Sequence, residues 1–168
     1  MSSAYLIRRA EKDDLGAISD IYNYEVMNGT ATFDIHPRTA PEWEEWLSAH
    51  NVGNHPLIVL ETGGRIAGYA SLSQYRDKEA YSGTVELSVY IGHAFRGRGY
   101  AAALVSELIG MAERDPATHV IVSVITSGNE ASISLHRKFG FTFCGTVHET
   151  GLKFGRYLDI DTYELIVG

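Results

Sequence analysis

The sequence predicts an α+β domain: a mixed, largely antiparallel sheet of about seven strands flanked by about four helices. Three observations carry that expectation. Strand-like alternation and helix-like periodicity interleave in the order β-α-α-β-β-β-α-β-α-β-β. LIVLE (57–61) and RIAGYASL (65–72) are separated only by Thr62, Gly63 and Gly64, which reads as an antiparallel hairpin. TVELSVYI (84–91) is then followed by a loop, a helix and the strand HVIVSVI (119–125), so helices must cover the faces of a mixed sheet. The 168 residues contain no repeat, low-complexity tract or linker, and one domain spanning 1–168 is expected.

The elements follow in order. YLIRR (5–9) reads as the first strand. Asp13 and Asp14 supply an N-cap and first-turn acids to a helix whose Leu15, Ile18, Ile21 and Tyr22 recur at helical spacing as far as about Met27. Asn28-Gly29 breaks it, TATFDI (30–35) is irregular, and Pro41 suits the first turn of a short helix, PEWEEWLSAH (41–50). Trp43 and Trp46 there belong either to the core or to an interface. After the hairpin, SQYRDKEAYS (73–82) is a polar connection. Beyond HVIVSVI, NEASISLHRKFG (129–140) is a helix with a glycine C-cap, and FTFCGTVHE and YLDIDTYELIV are the last strands. Tyr5, Tyr157 and Tyr163 lie in strand patterns and read as packing residues.

Composition narrows the class. No apolar run is long enough to span a bilayer, and MSSAYLIRRAEKDD turns charged before a signal core could form, so a soluble cytoplasmic protein without a membrane partner is expected. A net charge of −7 opposes a nucleic-acid partner. The single cysteine, Cys144, excludes an internal disulfide, offers no metal cluster and reads as a small buried apolar residue.

The informative junction lies between TVELSVYI and the helix after it. GRGYAA (97–102) fits the G-x-G-x-x-A pattern of a dinucleotide fold, and RGRGYA (96–101) fits R-x-x-G-x-A. Both imply a phosphorylated ligand. The first amides of a helix lack intrahelical acceptors and sit at the positive end of its dipole, where they can donate to a diphosphate. Gly97 and Gly99 permit close approach, Arg96 and Arg98 add charge-assisted donors, and Ala101, Ala102 and Ala103 keep the first turn slim. The dinucleotide reading lacks an acid at the end of HVIVSVITSG, has a hairpin foreign to that fold upstream, and leaves no room for a second mononucleotide half.

RGRGYA, its flanking strand and helix, NEASISLHRKFGF and the element order resemble the GCN5-related N-acetyltransferase family over nearly the whole chain. TATFD, YRDKEAYSGTVELSVYI and GLKFGRYLDI are similar, more narrowly, to its phosphinothricin and methionine sulfoximine acetyltransferase group. The resemblance implies the acetyltransferase fold, acetyl-CoA as cosubstrate, a small-molecule amine as acceptor and a homodimer. It implies that the pantetheine arm runs along Val89, Tyr90 and Ile91, that the diphosphate sits on Arg96, Gly97, Arg98, Gly99, Tyr100, Ala101 and Ala102 where a helix begins near Gly97, and that Asn129 touches the cofactor. Asn129 equally suits an N-cap.

Acetyl transfer to nitrogen needs a proton acceptor, donors for the oxyanion and a way to protonate the thiolate. Alternation puts Thr84, Glu86, Ser88 and Tyr90 on one face and Val85, Leu87, Val89 and Ile91 on the other. The resemblance makes Glu86 the general base; a carboxylate at its reference pKa of about 4.3 accepts a proton poorly from an ammonium, so burial must raise it or a water must relay. An amide of Val89 or a neighbour could hold the oxyanion. His136 stands where many relatives carry a tyrosine and could protonate the thiolate or be a half-buried packing residue. Arg76 and Lys78 match a basic pair suited to an acceptor's carboxylate. Phe33, Tyr75, Leu87 and Ser88 complete the expected acceptor site, with Lys153 a weaker candidate. Substrate choice stays open between an amino-acid analogue and another amine such as an aminoglycoside, polyamine or protein N-terminus, and a non-catalytic acyl-CoA sensor is the alternative class.

Overall fold

Period-2 alternation in the middle of the chain builds the sheet, and the computed structural model describes it over residues 4–168; the first three residues of the expected 1–168 domain lie outside the described residues. The strands are β1 (Leu6–Arg9), β2 (Leu57–Thr62), β3 (Arg65–Gln74), β4 (Thr84–Ile91), β5 (Val120–Thr126), β6 (Thr142–Lys153) and β7 (Arg156–Ile166). The helices are α1 (Leu15–Asn28), α2 (Ala40–Ser48), α3 (Tyr100–Arg114) and α4 (Glu130–Lys138). The sheet order is β1-β2-β3-β4-β5-β7-β6. Among the described pairings, only β4 against β5 is parallel. This is the mixed, largely antiparallel sheet that the sequence predicts.

The two faces of the sheet have separate cores. Val85, Leu87, Ile121 and Tyr163 pack with Leu104 and Leu108 of α3 and Ile133 of α4. Leu57, Val59 and Tyr69 pack on the opposite side with Ile18 and Val26 of α1 and Trp43 of α2. Because side chains alternate, Glu86, Ser88 and Tyr90 must face the α1/α2 side, as must Val124 and Thr126 of β5 and Arg156 and Leu158 of β7.

Local chemistry sets the element ends. Gly63 and Gly64 close the β2–β3 hairpin at φ +56° and +73°, a left-handed pair that permits a two-residue turn. Thr39 and Glu42 cap α2 reciprocally. At α1 the cap differs from expectation: Glu11 and Asp14 form a box around a 3-10 turn over Lys12–Asp14, and Asp14 pairs with Arg8 at 2.8 Å. Arg8 holds the Asp14 carboxyl below the usual carboxylate range.

Three packing expectations fail. Cys144 is exposed, because it sits at a register shift on the outermost strand β6. Tyr5 and Tyr157 are exposed as well, Tyr157 by 65%, whereas Tyr163 is buried. Alternation alone cannot distinguish a strand with two covered faces from one at the sheet margin. Trp43 and Trp46 resolve toward the core, Trp43 fully buried and Trp46 packed against its edge.

Candidate active site

β4 pairs with β3 at every residue but Thr84, from Gly68↔Ile91 to Gln74↔Val85. With β5 it pairs only at Thr84↔Val120, Val85↔Ile121 and Glu86↔Val122. Beyond Glu86 the two strands part. The Gly92 amide donates to the Ala67 carbonyl at 2.8 Å, and the Gly83 carbonyl accepts from Val120. Alternation along β4 therefore turns the backbone groups of even residues toward β3 and those of Leu87, Val89 and Ile91 toward the gap. The gap is a cleft of about 870 Å³ walled by Leu87–Ile91, Ser123–Asn129, Arg96, Gly97, Tyr100–Ala102 and His136, with Thr30, Ala31 and Leu158 at one end.

The glycine loop closes the other end. Gly97 and Gly99 have φ +75° and +80°, and a Cβ on either would meet nothing within 4 Å, so both glycines answer to backbone conformation and border open space. The helix starts later than the sequence suggests: Gly99 is the N-cap, with no side-chain cap, and Tyr100 is the first residue of α3. Ala103 is the first whose amide reaches back, to the Gly99 carbonyl at 3.1 Å. The amides of Ala101 and Ala102 stand just before it at the positive end of the helix, where an anionic diphosphate fits. Tyr100 itself is buried against Tyr5, so its contribution to the cleft is backbone. Arg98 lies over the Phe95 ring and reaches the Ala94 carbonyl. Arg96 pairs with Glu25, a buried carboxylate of α1 that also borders the cleft. Asn129 performs both expected services, capping Ser132 and lining the cleft.

Glu86 stands beside the cleft rather than in its wall, which begins at Leu87: it sits on the last rung before β4 and β5 separate, opposite Ser73 of β3. It is half-buried, and its carboxyl has no hydrogen-bond partner among the described residues, the Ser73 hydroxyl opposite being engaged by His50. Burial pushes its carboxyl above the usual carboxylate range. Ser88 continues the same face into the cleft, and Tyr90 is fixed between Tyr22 and Tyr69. Leu87 is buried toward α3.

His136 has a different character from the expected acid. It is 2% exposed, its Nδ1–H donates to the Ser132 carbonyl at 2.7 Å, and its Nε2 accepts the Ser123 hydroxyl at 2.8 Å. Burial lowers its pKa, so the ring is neutral and carries no proton at Nε2. Ser123, the lone hydroxyl in the apolar run VIVSVI, was the visible signal that this strand does more than pack.

Not all expected acceptor residues meet the cleft. Arg76 and Lys78 are exposed beyond the end of β3, and Arg76 lies over the rings of Tyr75 and Tyr81 at 4.9 and 5.6 Å. Phe33 packs on Gly151 of β6, where a Cβ would strike its ring. Lys153 is buried and donates to the carbonyls of Thr32 at 2.9 Å and Glu25 at 3.4 Å, which ties the β6–β7 turn to the end of α1. The sequence reading passed over Glu25, Ser123 and Arg156, all of which line the cleft.

Residues 7–161 match a family described as an acetyltransferase (GNAT) domain. The L-methionine sulfoximine/L-methionine sulfone acetyltransferase of Salmonella typhimurium is 38% identical over 95% of this chain and 92% of its own. The phosphinothricin N-acetyltransferase of Streptomyces coelicolor is 38% identical over 94% of each chain. A solved acetyltransferase of Salmonella typhimurium, yncA with its cofactor acetyl-CoA, superposes with a TM-score of 0.93 at 37% identity, covering 98% of this chain and 95% of that one.

Proposed function

The chain belongs to the acetyltransferase (GNAT) family, an N-acetyltransferase using acetyl-CoA, and from that premise we propose that it acetylates the α-amine of a small amino-acid analogue such as methionine sulfoximine, methionine sulfone or phosphinothricin. The relatives named for those substrates support the choice of acceptor. The observation that carries the reaction is the position of Glu86, a partnerless carboxyl of raised pKa where the cofactor-sized cleft begins.

Acetyl-CoA supplies an acetyl thioester. The amides of α3's first turn and the Gly97–Gly99 loop hold its diphosphate, and the gap-facing backbone of Leu87, Val89 and Ile91 holds the extended arm. Glu86 takes a proton from the acceptor's ammonium, directly or through water, which frees the neutral amine to attack, and its raised pKa improves that transfer. Val89's amide stabilises the charge that develops on the carbonyl oxygen as the C–N bond forms; the C–S bond then breaks, and the departing thiolate takes the second proton that the nitrogen releases. His136 orients Ser123 in this reading, because its Nε2 has no proton for the thiolate. Transfer is direct, without an acyl-enzyme. A homodimer accompanies the reading, supported by the exposed Val147, Leu152, Phe154 and Tyr157, apolar side chains a second copy would cover. Sedimentation at micromolar concentration tests it, and a monomer there removes it.

Thiol release from acetyl-CoA across a panel of amines tests the function. Turnover on methionine sulfone, methionine sulfoximine or phosphinothricin above that on polyamines, aminoglycosides and peptides is expected. The opposite ranking overturns it.

A further inference from the structure

We propose that Arg156 grips the carboxylate of the acceptor and so makes the enzyme select amino acids over simple amines; this rests on the amino-acid reading above. Arg156 begins β7 and lines the same cleft as Ser88, Thr30 and Ala31. Its opposite number across the hairpin is Lys153. Opposed residues project to one face, and the Lys153 ammonium shows which: it reaches Thr32 and Glu25 at the end of α1. Alternation along β7 from the buried Tyr163 gives the same face independently. Glu86 and Ser88 share it across the gap.

Charge pairing selects Arg156 among the cations. Of the two arginines in the cleft wall, Arg96 is neutralised by Glu25. Arg156 is exposed and has no ion pair or hydrogen bond among the described residues, so its charge is uncompensated in a chain of net charge −7. Lys153, buried on two carbonyls, anchors the strand end from which Arg156 projects. A guanidinium held this way offers a two-pronged site for a carboxylate, while the acceptor's amine points across the cleft toward the Glu86 side. Arg76, the cation suggested by sequence, stacks on Tyr75 and Tyr81 outside the cleft wall.

The test compares methionine sulfone with its decarboxylated counterpart, 3-(methylsulfonyl)propylamine, in wild type, Arg156→Ala, Arg156→Lys and Arg76→Ala, with acetyl-CoA titrated separately. Arg156→Ala should raise KM for the amino acid by about tenfold to a hundredfold. Its kcat should hold within a few fold, KM for the plain amine should stay put, and Arg156→Lys should recover part of the loss. The acetyl-CoA Kd should move less than about twofold, since no charge-assisted contact to it is removed. An equal effect on both acceptors, a loss confined to acetyl-CoA affinity, or a carboxylate-specific loss in Arg76→Ala alone overturns the assignment. Wild type that acetylates other amines but not methionine sulfone fails the function itself, before any variant is compared.

Discussion

β4 is an interior strand on one side and an edge on the other. Against β3 it holds seven rungs, against β5 three, and the change falls at Glu86. The core does not suffer, because Leu87 still packs on α3 whether or not its backbone is paired. The difference teaches that this site is made by withholding hydrogen bonds rather than by adding side chains: beyond the last rung at Glu86, the gap-facing backbone of Val89 and Ile91 has no strand partner and suits an extended ligand with amides of its own.

The sharpest way to use that contrast is at the residue where it begins. Glu86→Gln should lower kcat by about two to four orders of magnitude while acetyl-CoA still binds. A raised pKa means that activity rises with pH as Glu86 loses its proton, at a pH above the ordinary carboxylate range, and this limb should vanish in Glu86→Gln. The sign for stability is opposite. The folded chain keeps a proton that the unfolded chain has already released, so Glu86 costs stability as pH rises through that window. Glu86→Gln should therefore melt slightly higher at neutral pH. A variant that loses activity and stability together would mark Glu86 as a packing residue.

Neighbouring prolines test the two edges directly. Ser88's amide faces β3, so Ser88→Pro leaves a buried carbonyl unpaired, costing about 1–3 kcal/mol beyond the backbone clash, and should lower Tm by several degrees. Val89's amide faces the gap, where proline deletes no ladder bond. Val89→Pro should keep most of its Tm and lose turnover by about a hundredfold, as expected for one oxyanion donor. Equal melting losses in the two variants would refute the assignment of faces.

The glycine loop separates strain from ligand contact. Gly99→Ala forces a side chain into φ +80°, and Gly63→Ala in the β2–β3 turn forces one into φ +56°; neither new Cβ would touch protein. Each should cost about 1–2 kcal/mol of stability. Only Gly99→Ala should weaken acetyl-CoA, by about tenfold, because only there does the Cβ enter the phosphate cradle. Matching cofactor affinities in the two would move the diphosphate elsewhere.

The same contrast explains what could be read without coordinates. Alternation in TVELSVYI fixed which side chains share a face, and glycines 97 and 99 marked the loop, since both are demands on backbone conformation. The parting of β4 from β5 has no such signature: Val122 and Val124 look alike whether paired or not. Nor do charges declare their partners. Arg76 and Arg156 are equally basic, and only the fold stacks one on tyrosines and leaves the other in the cleft. His136 was legible as a residue of interest, but its tautomer depends on Ser132 four residues back and on Ser123 from another element.

The outer edge of the sheet supplies the smallest expected effect. β6 also presents unpaired backbone, and Cys144 lies on it at a bulge between Phe143 and Gly145. An exposed edge and a nucleophilic atom together invite comparison with a covalent route, but Cys144 is not part of the cleft wall. Its thiol is raised above the ordinary range by partial burial and by the nearby Glu164, which keeps it protonated and a poor nucleophile. Cys144→Ala should leave kcat/KM and Tm unchanged within measurement, as exposed substitutions usually do. A folded but inactive Cys144→Ala would mean that the acetyl group pauses on sulfur, and the open edge of β4 would then be a binding groove without being the place of transfer.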